Sequence, residues 1–310
     1  MATRNIMPVL MGRRTFVLGA ALTGAGLSAA LGPSSGSVPP GRISFGAYDP
    51  GGDFSDTADC TIEHIFLPWE DVAIETVFDA DRYARARNRT LLVTLEPWTW
   101  SRSERNTARS LREGIASGAY DDNMRSICEV FAALESPLIL RWGHEMDNEN
   151  GRFIWSGWRP SDYIAAYRRM ATIARRVVPG IQLIWSPLGN ATMQAFYPGD
   201  DLVDLVGLTV FGLQEWDRAN HGRDRSFAEI LAPRYDRAVV FGKPVMLAEL
   251  GYSGDAAYVA AWDRQVRTMS ARFPALVGVV YFNHPEVYDW PQGFGLPDWR
   301  ITRRVTAPQS

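Results

Sequence analysis

Eight short apolar segments recur along the chain after residue 42, and longer helix-like segments separate them. The apolar segments are rich in Val, Ile and Leu, and most lack the alternation of apolar and polar residues that marks a half-exposed strand. We therefore predict eight strands that are covered on both faces. They are residues 43–48, 62–67, 91–95, 138–142, 182–186, 202–210, 245–248 and 277–282.

The clearest helix-like segment between these strands is Ser161–Val178. Its apolar residues, among them Tyr163, Tyr167 and Met170, recur at helical spacing, and most of its arginines fall elsewhere. Ser161 is predicted to cap the start of the helix, and Pro179-Gly180 to end it.

The alternation of strands and helices predicts the fold class. Eight repeats in about 270 residues have the size and order of a single α/β domain, a (β/α)8 or TIM barrel. A doubly wound sheet is the less favoured alternative, because its usual ligands need a glycine-rich turn after the first strand. The segment there, YDPGGDFSD, lacks the GxGxxG pattern.

The first 41 residues are predicted to be a targeting segment. Arg13-Arg14 precedes an apolar stretch rich in Gly and Ala, a pattern typical of a twin-arginine-type export signal. That stretch is short for a membrane span. Residues 33–41 are rich in Pro, Gly and Ser and are predicted to be a disordered lead-in. Residues 42–310 would then form the catalytic domain of a periplasmic or secreted protein without a membrane span.

Composition excludes several classes of protein. The net charge of −3 gives no sign of nucleic-acid binding. Cys60 and Cys128 are not expected to pair, and no Cys/His spacing indicates a metal. Eleven tryptophans and eleven tyrosines are compatible with sugar stacking or, equally, with a large aromatic core.

Barrel enzymes place their chemistry at the carboxyl ends of the strands. The residues at these predicted ends are mainly carboxylates and aromatics: Tyr48, Asp49, Trp69, Glu70, Glu96, Trp98, His144, Glu145, Ser186, Phe211, Glu249, Asn283 and His284. Lys243 precedes its strand, which argues against Schiff-base chemistry. His144-Glu145 has Asn148 where a zinc helix needs its second histidine. No cofactor or metal is therefore expected.

Two carboxylates remain as the best candidates for catalysis. Glycoside hydrolysis needs one protonated carboxyl group as a proton donor and one ionised carboxylate as a nucleophile or base. Glu145 follows the buried fourth strand, and Glu249 follows the seventh. Either residue alone could be structural, but two of them at the same end of a barrel favour function.

Two segments around these glutamates carry a family resemblance. LRWGHEMD and GKPVMLAELG resemble the acid/base and nucleophile motifs of glycoside hydrolase family 26, and the resemblance extends over most of Phe45–Trp290. The family includes β-mannanases, β-1,3-1,4-glucanases and xylanases. It implies Glu145 as general acid/base, Glu249 as nucleophile and a retaining mechanism with carboxyl groups about 5–5.5 Å apart. His144 would bind sugar or orient a catalytic group, and Arg141 would keep the nucleophile ionised or form a structural ion pair.

The chain departs from the mannanase pattern at three places. Arg152 and Phe153 stand where mannanases place a tryptophan against the reactive sugar, which favours the glucanase-like branch. Phe211 replaces a tyrosine that often donates a hydrogen bond to the nucleophile. Asp147 and Glu149 make the loop after the fourth strand acidic, so anionic glycans are disfavoured unless Arg152 offsets the charge.

The remaining predicted sugar contacts are four tryptophans and one carboxylate, any of which could instead serve ordinary packing. They are Trp98, Trp155, Trp158, Trp290 and Glu96. The resemblance implies an endo-β-glycosidase acting on a glucan, a mixed-linkage glucan or a mannan. The export signal adds the cell's own exopolysaccharide as a variant substrate, and we expect a monomer. A catalytically silent glycan-binding barrel is the alternative. The linkage, and cleavage within or at the end of a chain, stay open.

Overall fold

A computed structural model describes residues 43–70, 72–98, 107–148 and 151–301. The predicted export signal and lead-in lie outside these residues, as does Glu149. No helix within the described ranges is both long and apolar enough to span a bilayer.

Eight parallel strands close into a barrel in chain order, and β8 pairs with β1. The predicted (β/α)8 barrel is therefore confirmed, and the doubly wound sheet is excluded. The strands are β1 Ser44–Tyr48, β2 Cys60–Pro68, β3 Thr90–Glu96, β4 Leu138–Trp142, β5 Gln182–Trp185, β6 Leu205–Leu213, β7 Val245–Ser253 and β8 Leu276–Phe282.

Helices follow most of the strands and cover the outside of the barrel. They are α1 Val77–Arg85, α2 Ala108–Ser117, α3 Asp121–Ala132, α4 Pro160–Val177, α5 Gln214–His221, α6 Phe227–Ala238 and α7 Ala256–Arg267. Short 3₁₀ turns occupy Ile74–Thr76, Met193–Phe196, Asp200–Leu202, Val239–Phe241, Met269–Ala271 and Pro291–Gly293. Cys60 and Cys128 are both free and buried, as expected.

Three predicted boundaries were wrong. The sixth strand begins at Leu205, because Asp200–Leu202 forms a 3₁₀ turn before it. The seventh strand continues to Ser253, so that Glu249 lies inside the strand and not after it. Helix α4 begins at Pro160, and no side chain caps its start; proline fits the first helical turn because that turn needs no backbone N–H donor.

The barrel interior has an apolar layer below a polar one. The apolar layer consists of Ile62, Leu92, Ile139, Ile184, Leu205, Met246, Ala248 and Val280. Residues two positions further along a strand share its face. The strands β2, β3, β4 and β5 thus place buried polar side chains directly above this layer, namely His64, Thr94, Arg141 and Ser186. The apolar layer fills the barrel, and the polar layer forms the floor of the candidate site.

Candidate active site

Arg141 lies at the centre of the polar layer and is fully buried. Its guanidinium donates a hydrogen bond of 2.6 Å to the Glu249 carboxylate. Its other acceptors are neutral hydroxyls from β3, the end of β5, and β6: Thr94 at 3.4 Å, Ser186 at 2.9 Å and Thr209 at 3.4 Å. Hydroxyls hold the guanidinium in place without neutralising it, so its charge favours the ionised form of Glu249.

A bulge in β7 aims Glu249 into the barrel. The pairing with β6 passes from Leu208–Leu247 directly to Thr209–Glu249, so Ala248 is an extra residue. Ala248 belongs to the apolar interior layer. Strict alternation would turn the next side chain outward, and the bulge instead brings Glu249 to the same interior as Arg141.

Glu145 is held by an unusual backbone conformation beyond the end of β4. Its φ is 54°, and that of Gly143 is 55°, both in the left-handed region. Such a conformation is costly for a residue with a Cβ atom and is common at functional sites. Two hydrogen bonds fix it: Glu145 N–H donates to the Ser186 carbonyl at 2.8 Å, and Asn148 N–H donates to the Glu145 carbonyl at 3.1 Å.

The two glutamates meet in the site. One side-chain oxygen of each, together with a ring nitrogen of His144, lie within 4.8 Å of one another. Burial raises the pKa of Glu249 to about 7, and repulsion from Glu145 adds to this, whereas Arg141 lowers it. The charge of Arg141 therefore opposes the effects of burial and of Glu145, and it favours the ionised form of Glu249.

The same three side chains have the spacing of a possible cation site. One feature fits a metal poorly. Glu249 already pairs with the Arg141 guanidinium, which would repel a cation. Burial holds the pKa of His144 well below its usual range, and the charge of Arg141 is the next cause. The donor set suits two-carboxylate chemistry better than metal binding.

His144 packs in an aromatic setting beside Glu96. Its ring lies 4.6 Å from that of Phe153 and 6.2 Å from that of Phe66, and its Nε2 lies 4.0 Å from the Glu96 carboxylate. Burial raises the pKa of Glu96 to about 7, and a hydrogen bond from Trp98 opposes this shift. Glu96 and Trp98 are partly exposed, so both can reach a ligand.

Trp155 and Trp158 lie in the core and not in the cleft. Trp155 is fully buried, and its indole N–H donates to the His144 carbonyl at 2.6 Å. Trp158 donates to the Ala108 carbonyl at 2.9 Å and is 4% exposed. A stacking platform must offer a ring face to the sugar, and neither ring does so here. These two predicted sugar contacts are therefore corrected to structural roles.

Arg152 and Phe153 line the wall next to the glutamates. Phe153 stacks on Trp155, with ring centroids 4.7 Å apart and planes 12° apart, and it is almost completely buried. The Arg152 guanidinium donates to the Glu286 carboxylate at 3.1 Å. Arg152 is thus the more exposed residue of the pair, and its guanidinium lies 5.6 Å from the centroid of the Phe153 ring.

Phe211 and Trp290 are both partly exposed, and their ring centroids lie 5.9 Å apart. The Phe211 ring needs the glycine opposite it on β7, because a Cβ atom at Gly251 would lie 2.6 Å from the ring. Phe211 cannot donate to Glu249, so Arg141 carries the contact to this carboxylate.

Three further aromatic residues face the site and were not among the predicted site residues. Tyr48 and Phe282 end β1 and β8, and Phe66 lies two residues before the end of β2. The Tyr48 ring lies 4.9 Å from that of Phe66 and 5.1 Å from that of Phe282. Phe66 follows His64 at strand spacing, a signal that was available in the sequence.

Asp147 has a structural role and does not make the cleft acidic. Its carboxylate is buried and accepts hydrogen bonds from the backbone N–H groups of Leu188, Gly189 and Asn190 at 2.6–3.0 Å. The discrimination of this loop against anionic glycans stays a prediction.

Comparison with known proteins points to one family. Residues 122–232 match the model of glycosyl hydrolase family 26. A β-1,3-xylanase from Alcaligenes sp. is 31% identical over 117 residues, which cover 35% of this chain and 24% of that protein. The β-1,3-xylanase TXYA from Vibrio sp. is 27% identical over 173 residues, which cover 50% and 34%. The chain thus matches about a quarter to a third of the length of these relatives.

Solved structures share the fold. A family 26 β-mannanase from Bacteroides ovatus is 18% identical with a TM-score of 0.58, covering 78% of this chain and 80% of that one. The GH26C protein from Muricauda sp. is 16% identical with a TM-score of 0.60, covering 78% and 79%. These identities speak for the fold alone. Residues 122–232 are thus similar to glycosyl hydrolase family 26, and the whole barrel has the fold of that family's solved structures.

Proposed function

We propose that this protein is a glycoside hydrolase that cleaves a β-linked polysaccharide by a retaining, double-displacement mechanism. The proposal rests on one distance. A side-chain oxygen of Glu145 and a side-chain oxygen of Glu249 lie within 4.8 Å of each other. Retaining enzymes hold their two carboxyl groups about 5–5.5 Å apart, whereas inverting enzymes need about 6.5–9.5 Å to admit a water molecule.

The first step forms a glycosyl–enzyme bond. The Glu249 carboxylate attacks the anomeric carbon, and the bond from that carbon to the leaving oxygen breaks. The Glu145 carboxyl group gives its proton to the leaving oxygen. In the second step the Glu145 carboxylate takes a proton from water, whose oxygen attacks the anomeric carbon and releases Glu249.

Arg141 serves both steps through its contact with Glu249. It favours the carboxylate before attack and again when the glycosyl–enzyme bond breaks. Its hydroxyl partners fix its position, so little reorganisation is needed as charge develops.

The substrate class is a neutral β-linked glycan. The curated relatives are named β-1,3-xylanases, and the solved relatives include mannanases, so β-1,3-xylan and β-1,4-mannan are the first candidates. Mixed-linkage glucan and a bacterial exopolysaccharide follow. The partly exposed rings of Trp98, Trp290 and Phe66 offer stacking surfaces for sugar rings.

The test is release of reducing ends from β-1,3-xylan, β-1,4-mannan and mixed-linkage β-glucan. We expect Glu249→Ala to lower kcat by roughly 10³-fold or more, because it removes the nucleophile. Sodium azide should restore turnover with Glu145→Ala, which can still form the glycosyl–enzyme bond with an activated leaving group. A wild-type rate from Glu249→Ala would contradict the assignment.

A catalytically silent glycan-binding barrel is the competing proposal, and Phe211 in the place of a donor tyrosine favours it. Tight binding of one of these polysaccharides by the wild-type protein, without any reducing ends, would establish binding as the function.

We also propose that the protein acts as a monomer outside the cytoplasm after twin-arginine export. Arg13-Arg14 and the following small-residue stretch support this location. Replacing both arginines with lysine should keep the protein in the cytoplasmic fraction of an expressing bacterium; unchanged export would contradict the proposal.

A further inference from the structure

Two loops meet across the mouth of the barrel. Loop 4 consists of the described residues 143–148 and 151–159 after β4, and loop 8 is residues 283–301 after β8. In a closed eight-stranded barrel with this strand order, β4 and β8 are four strands apart in either direction. The two loops therefore start on opposite sides of the site.

An ion pair joins these loops. The Arg152 guanidinium of loop 4 donates to the Glu286 carboxylate of loop 8 at 3.1 Å, although the residues are 134 positions apart. The same guanidinium lies 4.9 Å from the ring centroid of Tyr288 in loop 8 and 5.6 Å from that of Phe153 in loop 4. The contact between the loops thus combines charge and aromatic surface.

The two partners differ in how firmly they are held. Glu286 N–H donates to the Pro297 carbonyl at 2.7 Å, and its carboxylate accepts hydrogen bonds from the Trp299 indole at 3.3 Å and the Val287 N–H at 3.0 Å. Its side chain is 3% exposed, whereas that of Arg152 is 33% exposed. Glu286 is thus held firmly within loop 8, and the more exposed Arg152 side chain extends from loop 4 to contact it.

The bridge lies close to His144, which shares the site with the two glutamates. The Arg152 guanidinium lies 5.6 Å from the centroid of the Phe153 ring, and this ring lies 4.6 Å from that of His144 and 5.9 Å from that of Trp98, which follows β3. The charge of Arg152 is also among those that oppose the raised pKa of Glu249.

We propose that the Arg152–Glu286 bridge closes one end of the cleft, so that the site accepts the end of a glycan chain and releases short oligosaccharides. This inference rests on the proposed hydrolase function and adds the kind of substrate site. A polysaccharide that ran through the mouth on this side would have to separate the pair and leave the buried Glu286 carboxylate without its cation, which is unfavourable.

The experiment measures whether new reducing ends appear on the residual polymer or on soluble fragments. Wild type, Arg152→Ala and Arg152→Lys are each incubated with β-1,3-xylan and with β-1,4-mannan, and reducing ends are counted separately on the residual polymer and on soluble fragments. We expect wild type to form soluble oligosaccharides of one short size while the count on the polymer stays flat. Arg152→Ala should raise the number of polymer-bound reducing ends per soluble product several-fold. Arg152→Lys, which keeps the charge, should raise this number less.

Arg223→Ala is the matched control. Arg223 forms an ion pair with Glu229 on the exposed surface, so its removal should leave the product pattern unchanged. Polymer-bound ends that rise from the start with wild type, or an Arg152→Ala pattern equal to that of wild type, would overturn the chain-end proposal. Absence of any new reducing ends from wild type would instead refute the hydrolase function.

Discussion

Burial disfavours the charged form of several side chains in this site, and Glu96 is the clearest case. Its side chain is 17% exposed, and burial raises its pKa to about 7. The folded protein therefore binds this proton more tightly than the unfolded chain, whose glutamate titrates near 4.5. The stability that protonated Glu96 contributes is present at low pH and is lost as the pH rises towards 7.

The effect of Glu96→Gln on stability should accordingly become more favourable as the pH rises. Because glutamine stays neutral, we expect the free energy of unfolding of the variant, relative to wild type, to increase by about 2–3 kcal/mol between pH 5 and pH 8. Urea unfolding of both proteins at pH 5 and at pH 8 measures this change in the free energy of unfolding. Glu229→Gln is the control: hydrogen bonds from Arg223 and from Ser226 lower the pKa of Glu229 to about 2, so its effect should be equal at both values. If Glu96→Gln changed the free energy of unfolding by the same amount at pH 5 and pH 8, the raised pKa of Glu96 would be disproved.

At the scale of elements, the site depends on how loop 4 is joined to the segment after β5. The Asp147 carboxylate accepts three backbone N–H groups there, and its own carbonyl accepts from the Asn190 side chain at 3.0 Å. Glu145 lies two residues away, in its left-handed conformation, and bonds to the Ser186 carbonyl. Asp147 therefore supports the backbone that aims the proton donor.

Asp147→Ala should harm both folding and catalysis. It leaves buried N–H groups without an acceptor, so we expect a loss of about 2–4 kcal/mol in the free energy of unfolding and a fall in kcat with the KM nearly unchanged. Asp122→Ala, at a position on α3 whose side chain is 95% exposed, is the control and should cost about 0.5 kcal/mol or less. If kcat stayed at the wild-type value in folded Asp147→Ala, the supporting role would be refuted.

For the whole molecule, closure of the barrel depends on the junction of β8 with β1. Asn283 follows β8, and its amide N–H groups donate to Asp49 at 2.8 Å and to Asp53 at 2.9 Å, both beyond β1. Its amide oxygen accepts from the Ile301 N–H at 2.8 Å. One side chain thus joins the two ends of the barrel to the end of the described chain.

Asn283→Ala should weaken the entire fold. We expect a loss of about 2 kcal/mol or more, because Asp49 and Ile301 are buried, and thermal unfolding that remains a single transition at a lower temperature. Asn220→Ala, at an exposed position on α5, is the control, since its amide bonds within its own helix. A melting temperature equal to that of wild type for Asn283→Ala would show that this junction does not hold the barrel closed.

The sequence alone determined the order of strands and helices, the closed barrel and the two glutamates that face each other. These depend on local apolar patterns and short motifs, which act within a few residues. The family resemblance also predicted that Arg141 keeps the nucleophile ionised or forms a structural ion pair, and its partner proved to be Glu249.

Only the tertiary structure decided how these glutamates are aimed and which aromatics remain open. The bulge at Ala248, the left-handed Glu145 and the burial of Trp155 and Trp158 arise from packing against other strands and loops. The Arg152–Glu286 bridge joins residues 134 positions apart. No local pattern encodes such contacts, because their free energy depends on where the fold brings distant segments together.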